Sequence, residues 1–137
     1  MSPPPVTYVD TSALGALLIE QPESEALAEW LDNTTDHLVS CDLLETELRR
    51  LAVREGLDQH DVTAILDGVA LAALDRAAYR GAGILPMPYL RALDALHLEA
   101  ALRLAAHSVL TYNHRLAAAA RTLGLTVVNP GRPDEPR

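Results

Sequence analysis

A short apolar run near the start of the chain, Val6–Val9, ends in Asp10 and is followed at once by a helix-type sequence that begins with Thr11 and Ser12. This order predicts a β-strand that leads directly into an α-helix, with the Asp10 carboxylate at the junction. In an open α/β sheet, ligands bind just beyond the carboxyl ends of the strands. Aspartate is also an ordinary residue for capping a helix, so this segment alone fits either a binding site or a structural cap.

Strand-type and helix-type segments alternate along the rest of the chain. Strands are predicted at 6–9, 37–41, within 81–86, at 108–111 and at 126–128. Helices are predicted at 12–20, 24–31 and 43–55, from 58 or 61 to about 74, from about 90 to 106, and at 115–123. Such alternation is typical of a mostly parallel sheet covered by helices on both faces. The sequence therefore predicts an α/β fold, a three-layer α/β/α sandwich with a central sheet of four to five strands.

Length and composition predict a single domain. The chain has 137 residues, of which 49% are hydrophobic, and this is enough for a sizeable core. We predict one domain over residues 1–130 and a disordered tail over 131–137, where Pro, Gly and charged residues are concentrated. The net charge of −8 argues against a protein that coats nucleic acid with a basic patch. It is compatible with acidic side chains that hold a divalent cation.

Cysteine content and hydropathy indicate in which compartment the protein is expected to reside. The single cysteine, Cys41, excludes an internal disulfide and a cysteine-based zinc site. No segment reaches the roughly 18 consecutive apolar residues of a membrane-spanning helix. The first residues lack the charged and then apolar pattern of a secretion signal. We therefore expect a cytoplasmic protein without a membrane partner.

Two further acids lie on the inward faces of predicted helices. At helical spacing, Glu47 shares an apolar face with Leu51, whereas Glu45 falls at the edge of that face. Asp94 likewise shares a face with Leu98 in the helix that follows residue 90. These two carboxylates are therefore expected to point toward the protein interior.

An inward carboxylate is costly unless it is paired or bound to a metal ion. Glu47 and Asp94, together with Asp10 at a strand end, are thus expected to converge on a cation. The alternative is that the helix acids form ion pairs within the protein, with Arg50 or Arg91 as partners.

Four segments carry a family resemblance when they are taken together, at 8–14, 44–50, 93–98 and 110–116. Their order and separations, in a chain of this length, resemble a PIN-domain ribonuclease. The resemblance is closest to a VapC-type toxin of a VapBC toxin–antitoxin pair, and it extends from residue 6 to about residue 130. It implies a PIN-like fold.

The resemblance also implies a set of site residues. The catalytic positions correspond to Asp10, Glu47, Asp94 and Asn113, and the three acids would ligate Mg²⁺, with Mn²⁺ as a possible substitute. The family usually has an aspartate where this chain has Asn113. An amide oxygen can ligate Mg²⁺ or orient water, but it carries no charge and cannot act as a base. This departure favours one metal ion over a full two-metal site.

Polar residues near these positions are candidates for contacts with water or with RNA. They are Thr11, Ser12, Thr111, Arg91 and His97. The hydroxyl side chains fit helix caps or turns equally well. His97 also fits a packed, hydrogen-bonded core position, and Arg49 and Arg50 fit a solvated helix face.

The resemblance implies an Mg²⁺-dependent endoribonuclease toxin that hydrolyses RNA phosphodiester bonds. It further implies a homodimer that a cognate VapB-type antitoxin neutralises in a toxin–antitoxin hetero-oligomer, with DNA contacted only through the antitoxin. Because of Asn113, the alternative is a degenerate PIN-fold binding module that binds its antitoxin, regulates the operon and cleaves little or no RNA. A third possibility is a PIN nuclease for RNA processing outside any toxin system.

Overall fold

The first strand lies at the centre of the sheet. A computed structural model describes residues 2–132, and in it five parallel strands are ordered β3-β2-β1-β4-β5. The strands are β1 Val6–Val9, β2 His37–Cys41, β3 Ala70–Ala72, β4 Ser108–Leu110 and β5 Thr126–Val128. β1 pairs with β2 on one side and with β4 on the other, so the residue that follows β1 lies between the ends of two neighbouring strands.

Helices cover both faces of this sheet. They are α1 Thr11–Leu18, α2 Ser24–Asn33, α3 Leu43–Glu55, α4 Gln59–Leu66, α5 Arg76–Gly83, α6 Ala92–Arg103 and α7 His114–Thr122. Adjacent residues of β1 point to opposite faces. Tyr8 packs in one core cluster with Leu98 and Leu116, whereas Val9 packs in the other with Leu48. The predicted three-layer α/β/α architecture is therefore confirmed.

Two predicted elements between residues 58 and 86 are wrong. The helix expected to reach residue 74 ends at Leu66, and Ala70–Ala72 forms the edge strand β3. This segment lacks β-branched residues, but its backbone pairs with β2 in register Val39↔Ala70, so tertiary pairing overrides local propensity. The sheet contains the predicted number of strands, but one of them lies elsewhere in the sequence.

The short strand expected within 81–86 is also absent, because residues 76–83 form helix α5 and residues 84–86 form a loop. The Asp75 carboxylate caps this helix by accepting a hydrogen bond of 2.8 Å from the backbone N–H of Ala78. Gly81 lies inside the helix against α6, where a Cβ atom would come within 2.5 Å of the Glu99 carboxylate. Gly81 therefore reflects close packing of two helices instead of a turn.

The last described residues are held against the loop after β4. The Tyr112 hydroxyl donates a hydrogen bond of 2.7 Å to the Pro130 carbonyl, and Arg132 Nη1 donates one of 2.6 Å to the Tyr112 carbonyl. The Arg132 guanidinium also lies 5.0 Å from the centre of the Tyr112 ring. Gly131 and Arg132 are the first residues of the tail predicted at 131–137, and residues 133–137 lie outside the described residues.

None of the helices in the described part of the chain is long and apolar enough to cross a membrane.

The packing of α6 gives a test of the fold. Leu98 is fully buried, whereas Leu102, one turn later, is 38% exposed. We expect Leu98→Ala to lower the free energy of unfolding by about 2–5 kcal/mol, because it removes apolar contacts and leaves a cavity. Leu102→Ala is the matched control and should cost less than about 1 kcal/mol. Urea unfolding followed by circular dichroism measures both, and equal costs would contradict the burial described for this helix.

Candidate active site

Asp10 lies at the carboxyl end of the central strand and is buried, with 3% of its surface exposed. Its carboxylate accepts hydrogen bonds from Ser12 Oγ at 2.8 Å, Thr111 Oγ1 at 2.9 Å and the backbone N–H of Ala13 at 3.2 Å. The last of these bonds caps α1, so Asp10 does serve as a helix cap. Among the described residues, no lysine or arginine side chain hydrogen-bonds to this carboxylate.

Burial raises the pKa of Asp10 above its ordinary value, because the charged form loses hydration. The nearby His97 and the three hydrogen bonds act in the opposite direction and favour the carboxylate. A bound cation would favour the charged form further. Asp10 is therefore a buried acid whose environment leaves its charge incompletely compensated.

Glu47 reaches the same edge of the sheet from α3. Its Oε1 atom accepts hydrogen bonds from Thr11 Oγ1 at 2.9 Å and from His97 Nε2 at 2.6 Å. The other ring nitrogen of His97, Nδ1, lies 2.7 Å from the Tyr8 hydroxyl, which in turn donates to Cys41 Sγ at 3.2 Å. The Tyr8 oxygen is thus positioned to accept a hydrogen bond from Nδ1, and a ring that donates from both nitrogens is an imidazolium.

The surroundings of His97 agree with this charge. Burial lowers its pKa, but the hydrogen bonds to Cys41 and Glu47 and the charges of Glu47 and Asp10 outweigh that effect and raise the pKa to about 10. The result is a buried ion pair between His97 and Glu47. It is the outer end of a hydrogen-bonded chain that begins at Tyr8 in the core.

Asp94 is the third residue of α6 and is almost fully buried. Its carboxylate accepts hydrogen bonds from Asn113 Nδ2 at 2.8 Å, from Arg115 Nε at 3.0 Å and from the backbone N–H of Arg91 at 3.2 Å. Asp94 therefore has an ion-pair partner, but that partner is Arg115. The pairing with Arg50 or with the Arg91 side chain, which the sequence left open, is not found.

Asn113 connects Asp94 to α7. Its Oδ1 atom caps this helix by accepting from the backbone N–H groups of Arg115 at 2.9 Å and Leu116 at 3.2 Å. These two donors fix the orientation of the amide, so its Nδ2 group must face Asp94. The amide oxygen therefore points to the helix backbone. An aspartate here could cap the helix but could not donate to Asp94.

Hydroxyl groups join the acids into one network. Thr111 Oγ1, which donates to Asp10, also accepts the backbone N–H of Asn113 at 3.0 Å. Ser12 Oγ accepts the backbone N–H of Tyr112 at 2.9 Å and lies 3.2 Å from Thr111 Oγ1. The ends of β1 and β4 are thereby tied together, and a continuous path of hydrogen bonds runs from Asp10 to Asp94.

Comparisons with known proteins agree with this arrangement. The family model of the PIN domain matches residues 7–122. This chain belongs to the PIN-domain family. Ribonuclease VapC35 of Mycobacterium tuberculosis is 40% identical over 135 residues, which cover 91% of this chain and 97% of that protein. The resemblance identified from the sequence motifs is thus confirmed, and the relatives are of the VapC type.

Solved structures share the fold of this PIN domain at low sequence identity. VapC20 of Mycobacterium tuberculosis, a sarcin–ricin loop cleaving toxin, aligns with a TM-score of 0.70 and 14% identity over 82% of this chain and 94% of its own. A chain of a toxin–antitoxin complex from Klebsiella pneumoniae aligns with a TM-score of 0.69 and 18% identity over 90% of this chain and 97% of its own. At these identities the two structures support the fold alone.

The structure brings most of the candidate residues of this PIN domain together. The side chains of Thr11, Ser12, Thr111 and His97 each contact an acid. Arg91 contributes only its backbone N–H, and its side chain is exposed.

Sequence reasoning missed two residues that contact this network directly. Arg115 follows Asn113 by two positions at the start of α7, and a helical side chain leans toward the N-terminus of its helix, which brings it to Asp94. Tyr8 shares a face of β1 with Asp10, since side chains two residues apart in a strand lie on the same face. Both periodicities were available in the sequence.

Whether the PIN-domain acids fit a metal ion depends on donors and on distances. Carboxylate oxygens are the ligands that Mg²⁺ prefers, and Asp10 is buried without an arginine partner. Within residues 2–132, however, no three His, Cys, Asp or Glu side chains are close enough to enclose a metal ion. Glu47 and Asp94 are each paired with a cationic side chain, so a metal ion would compete with His97 and Arg115. The donor chemistry of Asp10, Glu47 and Asp94 therefore suits a divalent cation, but the distances between these side chains do not form an enclosed site.

A cavity of about 650 Å³ opens beside Glu47, between α1 and α3. It is lined by Thr11, Ser12, Gly15, Ile19, Gln21, Thr46, Glu47, Arg50, Leu51, Arg54 and Leu93. Of the three acids, Glu47 thus borders directly on a groove that combines hydroxyl, apolar and basic side chains.

The charge on His97 predicts a pH dependence of stability in the metal-free protein. The folded-state pKa, about 10, is raised above the ordinary value of 6.5. The resulting stabilisation is therefore complete below pH 6.5 and is lost as the pH rises through 10. We expect the advantage in unfolding free energy of the wild type over His97→Gln, measured in EDTA, to shrink across this range. An advantage that stays constant from pH 6.5 to pH 10 would contradict a buried imidazolium.

Proposed function

We propose that this PIN-domain protein is an Mg²⁺-dependent endoribonuclease, the toxin of a type II toxin–antitoxin system. The observation that carries the proposal is the buried Asp10 at the end of the central strand, connected through Thr111 and Asn113 to Asp94 and adjoining Glu47 through Thr11. The name of the relative VapC35, a ribonuclease, supports the same chemistry.

The three acids are assigned to the metal ion, Mg²⁺ or Mn²⁺, and each is positioned by its neighbours. Bound Mg²⁺ supplies Lewis-acid stabilisation of the phosphate and of an attacking water. Ser12 and Thr111 orient the Asp10 carboxylate, and Thr11 and His97 orient Glu47. Asn113 fixes the Asp94 carboxylate through its N–H group and holds the start of α7. The reaction is the hydrolysis of an RNA phosphodiester bond.

The partner we propose is a cognate VapB-type antitoxin. The similarity in fold to a chain of a toxin–antitoxin complex supports this assignment. The protein would act as a homodimer in the cytoplasm and would be neutralised in a toxin–antitoxin hetero-oligomer. DNA would then be bound only through the antitoxin, in agreement with the net charge of −8 on this chain.

Cleavage of total cellular RNA by the purified protein tests this function. We expect discrete fragments with Mg²⁺ or Mn²⁺ and none with EDTA. Asp10→Asn retains the size of the side chain but removes its charge, and it should reduce cleavage to background. Asp32→Asn is the control, because it removes one exposed acid from α2 and leaves the network intact. Equal cleavage by the wild type and Asp10→Asn would refute the assignment.

The geometry of Asn113 favours a second candidate, a PIN-fold binding module with little or no cleavage. Its amide oxygen is engaged by α7 and its N–H group by Asp94, so it contributes neither a charge nor a free ligand. In this case the wild type would bind its antitoxin but would cleave no RNA with either metal ion.

Asn113→Asp separates the two candidates. The change removes the hydrogen bond to Asp94 and places two carboxylates side by side, so we expect the metal-free protein to lose about 1–3 kcal/mol of stability. If the acids share a cation, Mg²⁺ should raise the melting temperature of this variant more than that of the wild type. Cleavage by the variant alone would show that the wild type is the binding module. Cleavage by both proteins would support the nuclease function of the wild type. Asn33→Asp, in an exposed position at the end of α2, controls for the added charge.

A further inference from the structure

Two arginines of α3 line the cavity beside the acids. Glu47, Arg50 and Arg54 follow one another at intervals of three and four residues, so they lie along one face of the helix. Glu47 marks the end of the cavity that adjoins the acids. Arg50 and Arg54 extend a basic wall away from it.

The neighbouring Arg49 differs from Arg50 in its hydrogen-bond partners. Its guanidinium donates to Glu45 at 2.8 Å, Gln59 at 3.0 Å and Thr63 at 3.1 Å, and so joins α3 to α4. Arg50 is exposed and has no hydrogen-bond or ion-pair partner among the residues described. Thus Arg49 has a structural role, and Arg50 is available to a ligand.

Arg54 is nearly as accessible to a ligand as Arg50. Its contact with Glu55 is 3.5 Å long, and the two side chains are 70% and 45% exposed. An ion pair exposed to this extent contributes little to stability and is readily exchanged.

The remainder of the cavity is apolar. Ile19, Leu51 and Leu93 line it, and Leu93 is 48% exposed although it is a large hydrophobic residue. The hydroxyl groups of Thr11 and Ser12 lie at the end that adjoins the acids. A ligand that fits this groove must combine negative charge with an apolar, flat portion, and must extend toward the acids.

We propose that this groove binds the single-stranded segment of RNA next to the cleaved bond, with Arg50 and Arg54 contacting successive phosphates. Ile19, Leu51 and Leu93 then pack against an unstacked base. The assignment rests on the proposed ribonuclease function of the acids. Four residues of α-helix rise about 6 Å, which suits two neighbouring phosphates, and the guanidinium group matches phosphate geometry. Single-stranded RNA fits because only an unpaired base can turn onto an apolar surface.

Binding of RNA in the absence of metal tests the groove independently of cleavage. A fluorescently labelled single-stranded RNA of mixed sequence is titrated in EDTA at several salt concentrations, with anisotropy as the readout. Each phosphate contact contributes about 0.7 to the slope of log K against log salt, so Arg50→Gln/Arg54→Gln should reduce the slope by about 1.4. Arg76→Gln/Arg80→Gln is the matched control, because these exposed arginines have the same spacing on α5, which does not line the cavity.

The outcomes separate this proposal from the proposed function. An unchanged slope in the Arg50 and Arg54 variant overturns the RNA groove, and so does the absence of RNA binding by the wild type. Cleavage of RNA by the wild type with Mg²⁺ reports on the nuclease in either case. A changed slope without any cleavage would support RNA binding in the groove and contradict the proposed nuclease activity.

A second binding measurement, with an acidic peptide, distinguishes an RNA ligand from an acidic protein segment. Unchanged RNA binding together with loss of binding to a polyglutamate peptide would assign the basic wall to a protein partner and overturn the proposal. Both arginine pairs are exposed, so all variants should melt at the temperature of the wild type, and this is checked before binding is measured.

Discussion

The structure depends on the burial of one carboxylate, that of Asp10, at the end of its central strand. A buried charge must be compensated by hydrogen bonds or by an opposite charge. Here Ser12 comes from the first turn of α1 and Thr111 from the end of β4, so compensation requires the two strand ends to meet. The same contacts that make Asp10 tolerable in the interior also bring the segment with Asn113 to the edge of the sheet.

The other two acids are compensated differently, and the difference bears on chemistry. Glu47 and Asp94 each have a cationic partner, His97 and Arg115, whereas Asp10 has hydroxyl and backbone donors only. Without these two cationic partners, this edge of the sheet would carry three mutually repelling carboxylates. The two cationic side chains therefore stabilise the acids in the metal-free state, and they are the groups that a metal ion would have to displace or tolerate.

Much of this arrangement can be predicted from the sequence because it follows from local periodicity. The inward faces of Glu47 and Asp94, the strand end at Asp10 and the order of helices and strands all obey spacing rules, and the family motifs supply the relation between them. The position of β3 could not be predicted, because Ala70–Ala72 becomes a strand only through pairing with β2. Arg115, the partner of Asp94, was missed because it lies 21 residues away on another helix, although its spacing from Asn113 indicates the direction of its side chain.

The pairing of β1 with β4 also has a consequence for biosynthesis. Asp10 and Thr111 are separated by 101 residues, so a nascent chain exposes Asp10 long before its hydrogen-bond partner has been translated. Contacts at such sequence separation form late, because the entropy of closing the loop must be overcome first. The acidic centre is thus completed only after residue 111 has been translated. During synthesis on the ribosome, a growing polypeptide that has not reached this residue lacks the assembled site.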